Sequence, residues 1–244
     1  MVSKSQIKLI TSLEQKKHRT KTGLFVVEGK KGIEELLKSD FKLHSLYTTQ
    51  DIFDAPQEKT FMISEVELKK ISKLKNAQIA LGIFLIPEKT NPKLKGLVVA
   101  LDGIRDPGNL GTIIRLCDWF GVQDIVCSLD TVDCYNFKVV QATMGSIARV
   151  QIHYVDLNLF LRENDSQLKV GAFLDGENLY TASIPKDLIV VLGNEANGIS
   201  KSVEEIIEKR INIPQFSENK DTESLNVATA TAILLSELRR KENY

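Results

Sequence analysis

The sequence predicts an α/β protein of two domains, the second of which is built on a parallel β-sheet. Beyond residue 96, six short apolar runs alternate with helical patterns, as is typical of parallel strands covered on both faces. Before them, PEKTNPKLKG (residues 87–96) is rich in Pro, Lys and Asn, which suits an exposed connection between domains. With 244 residues, both parts can form a core. We therefore expect a smaller α/β domain over residues 1–90 and a larger one over residues 96–244.

The first domain is predicted to begin with a helix. Apolar residues recur at helical spacing from Ser3 onward and predict one helix that ends at about Lys17. A second helix is expected over residues 30–38, and a third after Ser64, which has the residue type of an N-cap. The predicted strands of this domain are FVVEG, LHSLYT, FMI and IALGIFLI.

The second domain is predicted to contain six strands separated mostly by helices. These strands are expected at residues 97–102, 124–129, 149–155, 169–174, 188–193 and 211–214. In open parallel sheets of this kind, ligands bind beyond the carboxyl ends of the strands. Residues that follow these strands are therefore the first candidates for a site.

Charge and composition exclude some classes of protein but do not name a partner. Basic and acidic residues balance over the whole chain, so the net charge does not indicate nucleic-acid binding. The first 31 residues carry eight basic residues against two acidic ones. A solvated helix face and a polyanion-binding surface explain this local excess equally well.

Cysteine and histidine usage favours neither a disulfide framework nor a metal site. The three cysteines lack paired metal-ligand spacing, and the three histidines are scattered without a second ligand nearby. The N-terminal stretch has no apolar core of signal-peptide length, and no run is long enough to span a bilayer. We expect a cytoplasmic protein without membrane or metal. The residues concerned are Cys117, Cys127, Cys134, His18, His44 and His153.

The stretch DPGNLGTIIR (residues 106–115) is the first candidate site. The Pro-Gly turn before Asn109 predicts a helix with Asn109 as its N-cap, and Arg115 lies off the apolar stripe of that helix. Arg115 follows Asn109 by six residues, so its long side chain can fold back and share a site with Asn109. On this segment alone, a capping Asn and a surface Arg are the better explanation. The stretch lacks G-x-G-x-x-G spacing, so a dinucleotide site is not indicated.

Two later stretches carry further candidates. In LIVVLGNEANGIS, Gly193 and Gly198 flank Glu195 at the end of a predicted strand, as in a loop whose backbone approaches a ligand. In INIPQFSENKDTESLNVATATAILL, a strand ends in Pro214 and Ser224 opens a helix. Taken singly, an ordinary turn and a capped C-terminal helix account for these stretches.

In this order, the three stretches resemble the motifs of the SpoU/TrmH family of RNA ribose 2′-O-methyltransferases, within the SPOUT superfamily. NLGTIIR is similar to the first motif, GNEANGI to the second, and IP with SLNVATATAI to the third, and the resemblance covers residues 97–237. KKHRTKTGLFVVEGKKGIEELL (residues 16–37) is similar to the substrate-binding domain often found ahead of this catalytic domain. The loop QFSENKDTE (residues 215–223) departs from the family pattern, because it is longer and contains no Gly.

The resemblance implies a fold, a cofactor and an oligomeric state. It implies a C-terminal SPOUT domain with a parallel sheet and a deep trefoil knot, preceded by a smaller α/β sandwich domain. It also implies a homodimer that binds S-adenosylmethionine largely through backbone groups. The implied cofactor-binding residues are Leu192, Gly193, Gly198, Ile213, Pro214 and Leu225.

The resemblance further implies the roles of individual side chains. Arg115 would face the ribose 2′-hydroxyl and stabilise the developing alkoxide, since a guanidinium with a pKa above about 12 is a poor base. Asn109 would hold Arg115, Glu195 would anchor the loop of the second motif, and Ser224 and Asn226 would complete the pocket. The implied RNA-binding residues are Lys16, Lys17, Arg19 and Lys21.

The sequence leaves several alternatives open. Ribosomal RNA is the preferred substrate because of the additional N-terminal domain, but transfer RNA and an antibiotic-resistance methylation of ribosomal RNA remain alternatives. A catalytically inactive RNA-binding or ribosome-assembly protein on the same fold is a different class of function. Base methylation is a third reading, although the SLNV motif favours ribose. Whether Arg115 acts as a base or only electrostatically is also undecided.

Overall fold

The computed structural model describes residues 2–92, 95–217 and 224–243, and the chain forms two compact units. The first unit comprises Met1–Glu88 and Asp133–Arg149, and the second comprises Lys89–Val132 and Val150–Tyr244. The helices are α1 Lys4–Ser12, α2 Lys16–Thr22, α3 Lys30–Leu37, α4 Glu65–Ile71, α5 Pro107–Trp119, α6 Phe137–Thr143, α7 Leu157–Glu163, α8 Lys201–Glu204 and α9 Val227–Asn243, with short 3-10 turns at Gln57–Lys59 and Ser146–Ala148. The strands are β1 Leu24–Glu28, β2 Leu43–Thr48, β3 Thr60–Met62, β4 Ala80–Leu85, β5 Leu97–Asp102, β6 Asp124–Ser128, β7 Gln151–Val155, β8 Leu168–Asn178, β9 Leu188–Gly193 and β10 Lys209–Asn212.

The first unit is built on a mixed four-stranded sheet in the order β1-β4-β2-β3. Strand β4 is antiparallel to both β1 and β2, and the short β3 is parallel to β2. Apolar side chains of α1 and α4 pack against alternate strand residues in one core. The strands predicted for this region are confirmed, and Ser64 caps α4 through a capping box with Glu67.

The single N-terminal helix predicted over residues 3–17 is wrong, because the structure contains two helices there. Ser3 caps α1 with Gln6 in a capping box, and the chain leaves the helix at Leu13 before α2 begins. The Arg19 guanidinium accounts for the break, since its Nη1 donates to the carbonyl oxygens of Leu13 and Glu14 at 2.8 and 2.7 Å. These carbonyls lie at the end of α1, where no following helical N–H is available.

A segment from the middle of the chain also belongs to the first unit. Residues 133–149, which the sequence placed in the second domain, carry α6, and this helix packs against β1. The ring of Tyr135 lies 4.7 Å from that of Phe25, and Arg149 forms an ion pair with Glu35. These contacts join residues more than a hundred positions apart, so no local pattern in the sequence indicates them.

The second unit contains a six-stranded parallel sheet in the order β10-β8-β9-β5-β6-β7. The central strand β5 is buried along its whole length, and α7 and α8 contribute to a core with alternate residues of β5 and β9. Helix α5 packs against α9, which also contacts β9. This architecture confirms the predicted α/β fold with a parallel sheet.

All six strands predicted for this unit are present, with small differences at their ends. Strand β7 begins at Gln151, and β10 ends at Asn212, so Pro214 follows that strand. Strand β8 is longer than predicted and continues to Asn178, with a register shift in its pairing with β10. Residues 172–175 lie between the part of β8 that pairs with β9 and the part that pairs with the end of β10.

The structure also bears on metals, thiols and membranes. Within residues 2–92, 95–217 and 224–243, no group of three His, Cys, Asp or Glu side chains is placed to hold a metal ion. The three cysteines form no disulfide bond and are buried. No helix in the described part of the chain is both long and apolar enough to cross a bilayer.

Candidate active site and cofactor cavity

The helix that carries Asn109 and Arg115 begins earlier than predicted. Asp106 is the N-cap of α5, because its carboxylate accepts a hydrogen bond of 2.8 Å from the backbone N–H of Asn109, and Pro107 occupies the first turn. Asn109 is therefore not the cap, and its side chain is available for other contacts. The predicted apolar stripe of Leu110, Ile113, Ile114 and Cys117 is buried as expected.

Three polar side chains from distant parts of the chain meet beside α5. Asn109 Nδ2 donates to Glu195 Oε1 at 2.8 Å, and Asn226 Nδ2 donates to Asn109 Oδ1 at 2.9 Å. Asn226 also caps α9, since its Oδ1 accepts from the backbone N–H groups of Ala228 and Thr229. The structure thus brings together one residue from each of the three stretches that the sequence singled out.

The sequence predicted that Ser224 opens the C-terminal helix, but the structure does not confirm this. The helix begins at Val227, and the Asn226 side chain makes the capping contacts. Ser224 lies two residues before Asn226 and lines a cavity together with Leu225. Part of the long loop before it, residues 218–223, lies outside the described residues.

The loop that follows β9 is closed by its own backbone. Asn194 and Gly198 exchange two backbone hydrogen bonds of 2.9 and 2.8 Å, and Gly198 has a φ of +68°. A Cβ on Gly193 would lie only 2.1 Å from the carbonyl carbon of Gly198. Gly193 is therefore required by a close backbone approach and Gly198 by its positive φ, and together they hold Glu195 on a tight loop.

A cavity of about 500 Å³ lies at the carboxyl ends of β9 and β10. Of the residues implied for cofactor binding, all but Pro214 line it, and Glu195 and Ser224 are also in its wall. Asn109 and Asn226 do not line the cavity. Asn109 bonds to Glu195 directly, and Asn226 bonds to Asn109. The cavity residues foreseen from the sequence are Leu192, Gly193, Gly198, Ile213 and Leu225.

One wall of the cavity was not anticipated. Residues 172–175 of β8 line the cavity, as does Asn194. The predicted strand at residues 169–174 ends at the same edge of the sheet as β9, and that parallel arrangement is the signal that would have indicated this wall. Asn194 lies within the GNEANG stretch and directly precedes Glu195, the residue that the sequence singled out.

The charged side chains that line the described part of the cavity are both acidic, Asp175 and Glu195. The Asp175 carboxylate accepts a hydrogen bond of 2.6 Å from the Arg210 guanidinium, which lowers the pKa of Asp175 below its ordinary value. Arg210 also pairs with Glu204 and stacks over the ring of Phe173. The remaining wall is mostly apolar, so the cavity suits a ligand with an aromatic or apolar body and a positive charge.

Arg115 does not contact Asn109, contrary to the role that the resemblance implied. Instead, the Nδ2 of Asn109 donates to Glu195, and its Oδ1 accepts from Asn226. Arg115 is exposed on α5, does not line the cavity of its own chain, and makes no hydrogen bond or ion pair with any residue that the structure describes. Its guanidinium donors therefore remain available to a ligand or another molecule.

The basic helix α2 in the first unit contains one residue that was assigned wrongly. Arg19 is 2% exposed, and its Nε and Nη2 donate to Asp133 Oδ2 at 2.9 and 2.5 Å. A buried guanidinium whose donors are satisfied in this way cannot contact a phosphate, so its role is structural. Lys16, Lys17 and Lys21 are exposed on the same helix.

Solved structures similar to this chain include two that match nearly its whole length. A protein of the TrmH family from Porphyromonas gingivalis is 38% identical, with a TM-score of 0.90 over 99% of both chains. The AdoMet-bound rRNA methyltransferase from Sinorhizobium meliloti is 30% identical, with a TM-score of 0.85 over 99% of this chain and 97% of that chain. The Bacillus subtilis 23S rRNA (guanosine(2553)-2′-O)-methyltransferase RlmP is 28% identical over 93% of each chain.

The fold and the cavity, with these similarities, define an S-adenosylmethionine-dependent RNA methyltransferase. The profile of the SpoU rRNA methylase family matches residues 96–236, which is more than half of the chain. The chain belongs to this family. Residues 4–82 match the MRM3-like substrate binding domain, in agreement with the resemblance of the N-terminal region.

Proposed function

We propose that this chain transfers the methyl group of S-adenosylmethionine to a ribose 2′-hydroxyl of ribosomal RNA. The observation that carries this proposal is the meeting of Asn109, Glu195 and Asn226 beside a cavity with acidic and apolar walls. Two relatives support it by name, since RlmP acts on a guanosine of 23S rRNA and the Sinorhizobium meliloti protein is an AdoMet-bound rRNA methyltransferase.

The cavity fits the cofactor in size and in charge. A volume of about 500 Å³ lies in the range of small-molecule sites, and the acidic side chains suit a ligand with a sulfonium and an ammonium group. When bound, S-adenosylmethionine supplies an electrophilic methyl group. Leu192, Gly193, Ile213 and Leu225 would contact it, with Gly198 shaping the loop and Pro214 directing the chain out of β10.

In the proposed reaction, Arg115 stabilises negative charge on the ribose oxygen. The 2′-hydroxyl would lose its proton to solvent as its oxygen takes the methyl group, with the neutral thioether as leaving group. A fixed guanidinium beside the oxygen lowers the free energy of the developing alkoxide. The ordinary pKa of an arginine is far above neutral, so this electrostatic role is favoured over that of a base. The exposed position of Arg115 leaves its donors available for this purpose.

We further propose that the active form is a homodimer in which Arg115 reaches the cavity of the partner subunit. Arg115 does not line the cavity of its own chain, which supports completion of the site by a second copy. Trp119 is 84% exposed and lies one turn after Arg115 on the same face of α5, as expected of a side chain that becomes covered on assembly.

A deep trefoil knot is also proposed for the second unit. One backbone approach between distant segments supports it, that of Gly176 against Arg210 and Ile211. An added Cβ on Gly176 would lie closer than 3.0 Å to backbone atoms, as expected where one segment passes tightly beside another. Knots are rare in general, so this proposal depends mainly on family membership.

The first unit is proposed to bind RNA through α2. Lys16, Lys17 and Lys21 are exposed there, and lysines on an exposed helix can neutralise phosphates. The match to a substrate binding domain over residues 4–82 supports this role. Modification of ribosomal RNA would place the protein in the cytoplasm, as the sequence led us to expect.

The test is methyl transfer from labelled S-adenosylmethionine to purified ribosomal RNA and, in parallel, to transfer RNA. We expect label in ribosomal RNA, and nucleoside analysis should place it in a 2′-O-methylated nucleoside. Reverse-transcription stops at low nucleotide concentration, compared between cells with and without the gene, would identify the position. A methylated base would contradict ribose as the target, and RNA binding without any transfer would favour the inactive assembly protein.

A further inference from the structure

The side chain of Asn194 contacts two loops at once. Its Oδ1 accepts hydrogen bonds from the backbone N–H groups of Ala196 and Asn197, at 3.0 and 3.2 Å, within the loop that lines the cavity. Its Nδ2 donates to the carbonyl oxygen of Gly103 at 2.7 Å, in the loop that leads from β5 to α5. The same Nδ2 lies 3.4 Å from Glu195 Oε2.

We propose that Asn194 is a positioning residue for the methyl-transfer reaction, because it fixes the cavity loop against the loop that starts α5. This inference rests on the proposed function and extends it to a residue with no assigned role. Asn194 would hold Glu195 in the position from which it bonds to Asn109. The cavity loop would thereby be fixed relative to α5, the helix that carries Arg115.

The orientation of every amide in this group follows from its partners. The Oδ1 of Asn194 faces two backbone N–H groups, so the group facing the Gly103 carbonyl has to be the NH₂. By the same reasoning Asn226, whose Oδ1 accepts two backbone N–H groups, donates to Asn109 Oδ1. Asn109 is then left with its NH₂ for Glu195.

The Glu195 carboxylate consequently has a donor at each oxygen. Asn109 Nδ2 donates to Oε1 at 2.8 Å, and Asn194 Nδ2 approaches Oε2 at the longer distance of 3.4 Å. Two amides, one in the first turn of α5 and one on the loop after β9, therefore restrict the rotation of an otherwise exposed carboxylate. Such restriction matters for catalysis, where misplacement of a group by about 1 Å is costly.

The alternative is that Asn194 only stabilises its own turn. An Asn side chain that accepts from N–H groups two and three residues ahead is a common turn motif, and it needs no role beyond the loop. The two roles use different atoms, because the turn uses Oδ1 and the contact between loops uses Nδ2. A substitution that keeps the acceptor and removes the donor therefore separates them.

Asn194→Asp is that substitution. It keeps an oxygen for Ala196 and Asn197, but places a carboxylate against the Gly103 carbonyl and the Glu195 carboxylate. The matched control is Asn164→Asp, which removes an Nδ2 bond of 2.7 Å to the Phe160 carbonyl, on a residue that does not line the cavity. Both variants lose one amide donor to a backbone carbonyl.

We expect Asn194→Asp to lower kcat by at least about tenfold, with a smaller rise in KM, and Asn164→Asp to leave both unchanged. Calorimetric titration should show weaker cofactor binding by Asn194→Asp only. Amide hydrogen exchange of Ala196 and Asn197, measured without cofactor, should stay slow in Asn194→Asp, because the turn is retained. If Asn194→Asp does not fold, Asn194→Ser serves instead, since its hydroxyl can accept in the turn but does not reach Gly103.

The pH dependence gives a readout that a purely structural role would not change. The introduced carboxyl faces Glu195 and the Gly103 carbonyl, near Asp130 and its ion-pair partner Arg105, and the acids raise its pKa. Lowering the pH towards this raised pKa should return a proton, and with it a donor to the Gly103 carbonyl, so the loss of kcat relative to wild type should become smaller.

Equal kcat and cofactor affinity in Asn194→Asp and Asn164→Asp, with an active wild type, would overturn the positioning role and leave the proposed function intact. A wild type that binds no cofactor and transfers no methyl group would overturn the proposed function, and the positioning role with it. A smaller loss of kcat at low pH, together with slow amide exchange of Ala196 and Asn197, would support Asn194 as the link between the two loops.

Discussion

Two arginines that the sequence assigned to RNA occupy opposite environments, one in each unit. Arg19 on α2 is buried, with its donors directed at Asp133 and at two carbonyl oxygens. Arg115 on α5 is exposed and has no partner among the residues that the structure describes. The guanidinium of Arg19 is used in folding, whereas that of Arg115 remains available for chemistry.

The difference arises from residues far away in the sequence. Asp133, which follows Arg19 by more than a hundred positions, lies on the segment that joins the first unit, and it neutralises a charge that would otherwise be costly to bury. In contrast, α5 faces its apolar stripe inward and leaves Arg115 outside it. Arg19 lies among basic and polar residues and Arg115 among apolar ones, and the distant contact with Asp133 is what removes Arg19 from the surface.

The largest expected effect comes from removing the available guanidinium. Arg115→Ala should lower kcat by about a hundredfold or more, because a charge-stabilising group is lost from the transition state. Cofactor affinity should change little, since Arg115 is assigned to the ribose oxygen and not to the cofactor. Steady-state transfer to ribosomal RNA and calorimetric titration with S-adenosylmethionine measure the two quantities.

The control for this prediction is Arg162→Ala on α7, which removes an arginine whose side chain bonds to Asn158 and does not line the cavity. Its kcat should match that of wild type. Arg115→Lys keeps the positive charge without the planar fork, so partial activity is expected. Full activity of Arg115→Ala would refute the assigned role, whether the residue acts in its own subunit or in the partner.

The order and identity of the elements followed from local signals. Apolar runs alternate with helical patterns in the second unit, and each predicted strand there is present. Burial on both faces of the sheet imposes that pattern on the sequence, so it could be recognised without the structure. The glycines around Glu195 were also recognisable, because the close backbone contact at Gly193 and the positive φ at Gly198 both disfavour a side chain.

Features that depend on distant contacts could not be foreseen. Asp106 rather than Asn109 caps α5, although both residue types are good caps, and the Asn109 amide is taken by Glu195 and Asn226. The link from Asn194 to Gly103 joins two loops that are separated in the sequence by four strands, β6 to β9. A single sequence records which side chains can form hydrogen bonds, but not which partner each one reaches.

The next largest effect is expected on stability, from the buried arginine. Asp133→Ala leaves the Arg19 guanidinium without its carboxylate, and loss of one partner of a buried pair costs about 3 kcal/mol or more. The midpoint of urea unfolding should fall accordingly. Lys30→Met, which breaks the exposed pair with Glu34, is the control and should change the free energy of unfolding by less than about 0.5 kcal/mol. Equal shifts in both variants would contradict a structural role for Arg19.

A smaller effect is expected on RNA binding when exposed lysines of α2 are removed. Lys17→Ala with Lys21→Ala should weaken RNA binding and reduce the slope of log affinity against log salt by about 0.7 to 0.9 per lost phosphate contact. Arg19→Met should leave that slope unchanged, provided that the variant is folded, because its donors are already satisfied. A smaller salt slope in Arg19→Met, with an unchanged slope in the lysine variant, would show that Arg19 and not the lysines contacts RNA.

The smallest expected effect concerns a second buried charge of the first unit, Glu28 at the end of β1. Burial raises its pKa above the ordinary value of 4.5, although hydrogen bonds from Ser72 and the backbone of Lys73 act in the opposite direction. The folded state therefore holds this proton more tightly than the unfolded state, so its contribution to stability is complete below pH 4.5 and is lost as the pH rises through the raised value. Glu28→Gln removes the titrating group, and urea unfolding from acidic to neutral pH should show wild type losing stability relative to the variant. A difference that is independent of pH would contradict the raised pKa.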